Sequence, residues 1–144
     1  MVTKQDIHEL DINDKLIMLE TKAKLSTTWI VVLLNLLFRD IHELFRPGLL
    51  EQMITGVVNG IQVTDAALLA AGFALEIPIL MVLLSRILIY RVNRWANIIV
   101  GILMIVSTIT GGFAGPNYML FGVINIAALL YIIWSSWTWS NRKA

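Results

Sequence analysis

Long apolar runs alternate with short polar interruptions along this chain. Apolar residues dominate at about 26–45, 65–89, 95–110 and 117–139. Each run approaches the ~20 residues a helix needs to cross bilayer hydrocarbon. The pattern predicts an all-α membrane protein, an antiparallel four-helix transmembrane bundle. Residues 1–24 break the pattern, with Asp11, Asp14 and Glu20 among Lys15, Lys22 and Lys24. Within them Ile12, Leu16 and Leu19 recur at helical spacing. A polar tail over 1–24 is therefore expected ahead of a four-span domain over 25–140. It is either frayed over 1–12 or carries an interfacial helix from about Asn13.

Punctuation sharpens the ends. Ser26 or Thr27 can cap the first span, and Thr64 or Asp65 the second, because a side-chain oxygen accepts from an orphan backbone N–H. Pro47 stops the first span. The third run is short, so it begins before Trp95 or crosses with little tilt. GGFAGPN at 111–117 reads as a tight turn. In the first connection, Leu49, Leu50, Met53, Ile54 and Val57 form a helical stripe. This predicts a short amphipathic helix in the first external connection, ended at Asn59-Gly60. The same Asn-Gly also suits a hairpin with strands TGVV and IQVT, and both readings stand open.

Composition agrees with the pattern and removes several function classes. The chain is 58% hydrophobic and 15% charged, against about 25% charged in ordinary soluble domains. A net charge of +1 argues against nucleic acid as a partner, which needs a strong basic patch. The absence of cysteine excludes disulfides, thiolate metal sites and iron–sulfur clusters. No cleavable leader is read ahead of Leu25. Lysine and arginine gather before the first span, at Arg86, Arg91 and Arg94, and at Arg142 and Lys143, with Arg46 alone on the other side. The positive-inside rule then puts both termini in the cytoplasm, as expected for a bacterial inner-membrane protein. All five tryptophans fall near that inner interface, where an aromatic belt lies.

Candidate chemistry lies in NLLFRDIHELFR, residues 35–46. With Lys24 and Arg86 at the inner boundary, Asn35 and Glu76 stand roughly 15–16 Å up, near mid-bilayer. Arg39 stands roughly 22 Å up and His42 roughly 27 Å. Asn35, Arg39, His42 and Glu43 share one helix face, while Asp40 points elsewhere. An ion at the bilayer centre costs at least ~2.5–3.5 kcal/mol, so Glu76 is expected to face the bundle with Arg39 as its partner. Arg39 and Glu43 are also at pairing distance along the helix. The candidate ligand-binding residues are therefore Arg39, Glu76, Asn35, His42, Glu43 and Asp40. Asn35 and Asn125 also suit helix–helix hydrogen bonds. One membrane histidine is poor support for haem, and Asp40 does not converge with His42 and Glu43 on a metal. No cofactor or metal is expected, and no catalytic motif is present.

Three functions fit these residues. The first is a non-enzymatic protein binding or conducting a small cation, proton or lipid-like ligand at the intramembrane site. Conduction by so few spans would imply a homo-oligomer. The second is a small membrane enzyme or redox-complex subunit acting on a lipid-soluble substrate. The third is a structural or interaction subunit with no site at all, and membrane lipids are the expected partners in every case.

The segments KLSTTWIVVLLNLLFRDIHEL and RVNRWANIIVG, with a Trp-rich end before a basic tail, resemble a bacterial family of small four-span membrane proteins. The likeness covers about residues 20–140 and implies no activity, since that family has none assigned. In size and span count the chain is also similar to DoxX-like proteins, a group tied to quinone or redox partners. Architecture alone carries no function, so neither resemblance transfers site residues.

Overall fold

Helix α1 runs unbroken from Lys4 to Glu43, so the polar tail and the first apolar run are one element. Between those residues the sequence holds no glycine or proline to interrupt it. Ion pairs at i, i+4, Asp11–Lys15 at 2.7 Å and Glu20–Lys24 at 2.8 Å, support its polar third. The expected cap at Ser26 or Thr27 is thereby corrected: Ser26 is mid-helix, and its hydroxyl donates to Val82 O of another helix at 2.8 Å. These facts come from a computed structural model that describes residues 4–110 and 116–139, with side chains for 8–110 and 118–139. The turn expected at 111–117 falls mostly outside the described residues, as does the tail bearing Arg142 and Lys143.

The remaining elements are α2 (Leu49–Thr55), β1 (Val57–Val58), β2 (Ile61–Gln62), α3 (Asp65–Ile87), α4 (Tyr90–Thr110) and α5 (Pro116–Thr138). The first connection holds both a helix and a hairpin. Gly56, at φ 74°, closes α2 by donating its N–H to Gln52 O and Met53 O. The strands then pair antiparallel, Val57 with Gln62 and Val58 with Ile61. Asn59 at φ 52° and Gly60 at φ 79° make the turn, the left-handed pair that a type I′ hairpin requires. The helix end expected at Asn59-Gly60 therefore lies at Gly56 instead. Thr64 caps α3, accepting from Ala67 N at 3.2 Å.

Four long helices alternate in direction. α1 packs on α3 and α5, and α4 packs on α5, while α3 and α4 touch more sparingly. Gly101 sets the α4–α5 approach. A Cβ there would stand 2.9 Å from Ile133 Cγ1. The core is small: Leu25, Trp29, Val32, Leu36, Met81, Leu129, Ile132 and Trp139. Trp29 belongs to this core at 0% exposure, which corrects its expected place in an interfacial belt. Trp95, Trp134 and Trp137 are exposed.

The total accessible surface is 10098 Å², against about 7,500 Å² expected for a soluble globular protein of this mass. Much of the excess is apolar: Leu68, Leu69, Phe73, Leu83 and Ile87 are all more than half exposed. Soluble monomers do not display such a continuous apolar surface. Among the described residues three helices are long and apolar enough to cross a membrane, α3, α4 and the Tyr118–Thr138 stretch of α5. α1 is not among them, because Asn35, Arg39 and Asp40 interrupt its apolar run. The protein is thus a helical, membrane-type chain.

Candidate functional site

The polar groups of the bundle sort into three levels along its length. The first lies at the end carrying α2. Arg39 donates to Asp40 Oδ1 from Nε at 3.0 Å and from an Nη at 2.8 Å. Glu43 pairs with Arg46 at 2.7 Å, and Arg46 reaches Asn59 Oδ1 at 3.1 Å. His42 is exposed and tilts its ring over Phe121, centroids 6.0 Å apart. Two expected pairings are therefore corrected. Arg39 pairs with its neighbour Asp40, not with Glu43, because rotation about long side chains closes an i, i+1 pair. Nor does Arg39 pair with Glu76, which lies in a stretch of α3, residues 65–77, that is exposed throughout. Glu76→Gln is accordingly expected to change unfolding free energy in detergent by less than ~0.5 kcal/mol, as for a surface change. A loss of 2 kcal/mol or more in a denaturant titration would show that Glu76 has a partner.

The second level joins α1, α4 and α5. Asn35 donates to Phe121 O at 2.8 Å, and Asn125 donates to Thr108 Oγ1 at 3.2 Å. Asn125 Oδ1 is buried without a hydrogen bond among the described residues. A cavity of about 10 Å³ adjoins it, walled by Asn35, Arg39, Thr108, Tyr118 and Asn125 among others. That is space for about one water, and the polar lining suits one. Asn35 and Arg39 thus meet Thr108, Tyr118 and Asn125, while Glu76 is not part of the group.

The third level, at the Trp-rich end, is a buried amide network that the sequence reading missed. Asn97 Oδ1 accepts from Trp29 Nε1 at 2.7 Å and from Ser85 Oγ at 3.1 Å. Its Nδ2 donates to Asn93 O at 2.8 Å and Asn93 Oδ1 at 2.6 Å. Asn93 Nδ2 in turn donates to Ser85 O at 2.6 Å. Separately, Arg86 Nε donates to Ser26 Oγ at 3.1 Å. One tryptophan, one serine and two asparagines from three helices are so joined at 0% exposure. The signal was present: Asn93, Asn97 and Gly101 recur every four residues on one face of α4.

Near this network opens a ligand-sized space, a cleft of about 600 Å³. Small-molecule sites span about 300–1,000 Å³. Its polar wall comes from α1, including Asp11, Asp14, Lys15 and Lys24. Its aromatic wall comes from Tyr90, Tyr131, Trp134 and Trp139. Tyr90 donates to Trp139 O at 2.6 Å and meets its ring edge-on at 5.0 Å. Glu20, hydrogen-bonded to Lys24, raises that ammonium above its ordinary pKa. None of the six predicted site residues lines this cleft. Among the described residues no cluster of three or more His, Cys, Asp or Glu gathers to hold a metal.

A sequence profile described as a family of unknown function (DUF6326) matches residues 15–144. No curated protein and no solved structure matches the chain.

Proposed function

The chain belongs to the DUF6326 family of unknown function, and on that footing we propose a four-span membrane protein that binds a lipid-like amphiphile. In this reading the second half of α1 is the remaining span, and Asn35, Arg39 and Asp40 are sheltered on it by α5 and by headgroups. The Trp-rich end faces the cytoplasm of a bacterial cell, following the distribution of lysine and arginine.

The observation that carries the reading is a contrast of sizes. The polar level around Asn35 and Asn125 holds about 10 Å³, while the cleft beside Trp134 holds about 600 Å³. One water fits the first, so a conduction path has no room there. The second has the size of a ligand site and the wall chemistry of an interface, aromatic on one side and charged on the other. The intramembrane polar cluster is then a hydrated lock between α1, α4 and α5, and the ligand binds at the bundle's end.

Purified protein released from maltoside micelles in a mass spectrometer is expected to keep a bound lipid or detergent. Trp134→Ala should lower that retention several-fold while leaving the fold intact, because Trp134 is 68% exposed and supports no core. Proteoliposomes should pass protons and sodium no faster than empty vesicles. A flux that depends on Asn35 or Arg39 would overturn the proposal, as would retention unmoved by Trp134→Ala.

A further inference from the structure

One unpaired carboxylate in the cleft narrows its ligand. Its two lysines are already engaged: Lys15 with Asp11 at 2.7 Å and Lys24 with Glu20 at 2.8 Å. Asp14 makes no hydrogen bond or ion pair among the described residues, and it lines the cleft half-exposed. Of the charged groups that line the cleft, Asp14 is thus the one left without a charge partner among the described residues. The same cleft is lined by aromatic rings, of which Tyr131 is 45% and Trp134 68% exposed. An aromatic face with a nearby carboxylate attracts an organic cation, and most strongly a quaternary ammonium that cannot satisfy itself with directed hydrogen bonds. An anionic headgroup would instead have to share a lysine with its carboxylate partner and sit beside Asp14.

The position of the cleft suits a ligand with a tail. α5 has 23 residues and α1 has 40, about 35 Å and 60 Å at 1.5 Å per residue. The overrun of roughly 25 Å is the part of α1 that carries Asp11 and Asp14. The charged wall therefore stands beyond the apolar length of the bundle, at headgroup depth. Tyr131 and Trp134 continue from it onto the lipid-facing surface of α5.

Accepting the cleft as an amphiphile site, we infer that it selects a cationic headgroup, an amine or quaternary ammonium, with Asp14 as counter-ion and Tyr131 and Trp134 as the aromatic contacts. The cation is carried either by a membrane phospholipid or by a free single-chain amphiphile.

The test is competitive retention on the full-length protein in maltoside micelles, read by native mass spectrometry. Phosphatidylethanolamine, phosphatidylcholine and phosphatidylglycerol with identical chains are supplied in equal amounts. The two cation-bearing lipids should be kept about fivefold over phosphatidylglycerol, the scale of one exposed cation–π contact with an ion pair. Asp14→Asn should bring that ratio close to one without lowering phosphatidylglycerol retention or the melting temperature. Dodecyltrimethylammonium should displace the retained lipid if the cation alone is recognised. Displacement only by a two-chain lipid also supports the inference and assigns a phospholipid as the source. Preference for phosphatidylglycerol, or a ratio indifferent to Asp14→Asn, overturns the headgroup inference and leaves the amphiphile site standing. Retention indifferent to both Asp14→Asn and Trp134→Ala removes the site itself.

Discussion

Asn97→Leu is expected to destabilise the protein by about 3 kcal/mol, roughly a hundredfold in the folding equilibrium. The two side chains are close in size, so the cost is electrostatic. Asn97 accepts from Trp29 and Ser85 and donates twice to Asn93, all within a fully buried cluster. Leucine leaves the Trp29 N–H without its acceptor and Asn93 Oδ1 without its donor. A buried polar group left unmade costs about 1–3 kcal/mol, while single interhelical hydrogen bonds in membranes average nearer 0.6 kcal/mol. Four bonds among three helices lie between these bounds. Asn35→Leu removes one bond, to Phe121 O, and should cost about 1 kcal/mol. Unfolding in mixed dodecyl sulfate micelles, followed by tryptophan fluorescence, measures both. If Asn35→Leu proves the costlier of the two, the amide network is not the principal polar lock.

Gly101→Val should cost a further 2–3 kcal/mol or so, by overpacking. The Cβ it introduces would stand 2.9 Å from Ile133 Cγ1, 3.3 Å from Ile133 Cδ1 and 3.8 Å from Leu129 O. Cγ1 lies close to the Ile133 backbone, so the side chain cannot swing its end clear. α5 must move away or Ile133 must leave its rotamer. Gly101→Ala should show the same sign at roughly half the size. Gly72 provides the contrast, with nothing within 4 Å of an added Cβ. Gly72→Ala should be neutral or stabilising by up to ~1 kcal/mol through helix propensity. Equal effects at Gly101 and Gly72 would mean that α4 and α5 do not meet at this glycine.

The apolar runs made α3, α4 and α5 legible, because length and hydropathy are properties of the chain itself. The partner of each intramembrane polar group was less legible. Height along a helix follows from residue count, and Asn35 and Glu76 were assigned one height on that basis. Rotation about the helix axis depends on which faces pack. Residues 65–77 of α3 are exposed, so Glu76 is left outside the packed face, and Asn35 finds its acceptor on α5. The start of α4 had a similar effect. Reading the third span from Trp95 left Asn93 in a connection, whereas α4 begins at Tyr90 and carries Asn93 into the core. The cleft was invisible for a different reason. It exists only because α1 continues through the expected boundary at Ser26 and carries Asp14 into the same cleft as Trp134.

That continuity also makes α1 a lever. It has no proline, glycine or cap between Lys4 and Glu43 at which to bend, and Trp29 pins it near the middle through Asn97. Asp14 lies 15 residues to one side of this fulcrum and Arg39 lies 10 to the other, arms of about 22 Å and 15 Å. A 10° tilt about Trp29 that closes Asp14 on the aromatic wall by about 4 Å swings Arg39 the opposite way by nearly 3 Å. Both ends of the bundle are thus tied to one continuous helix.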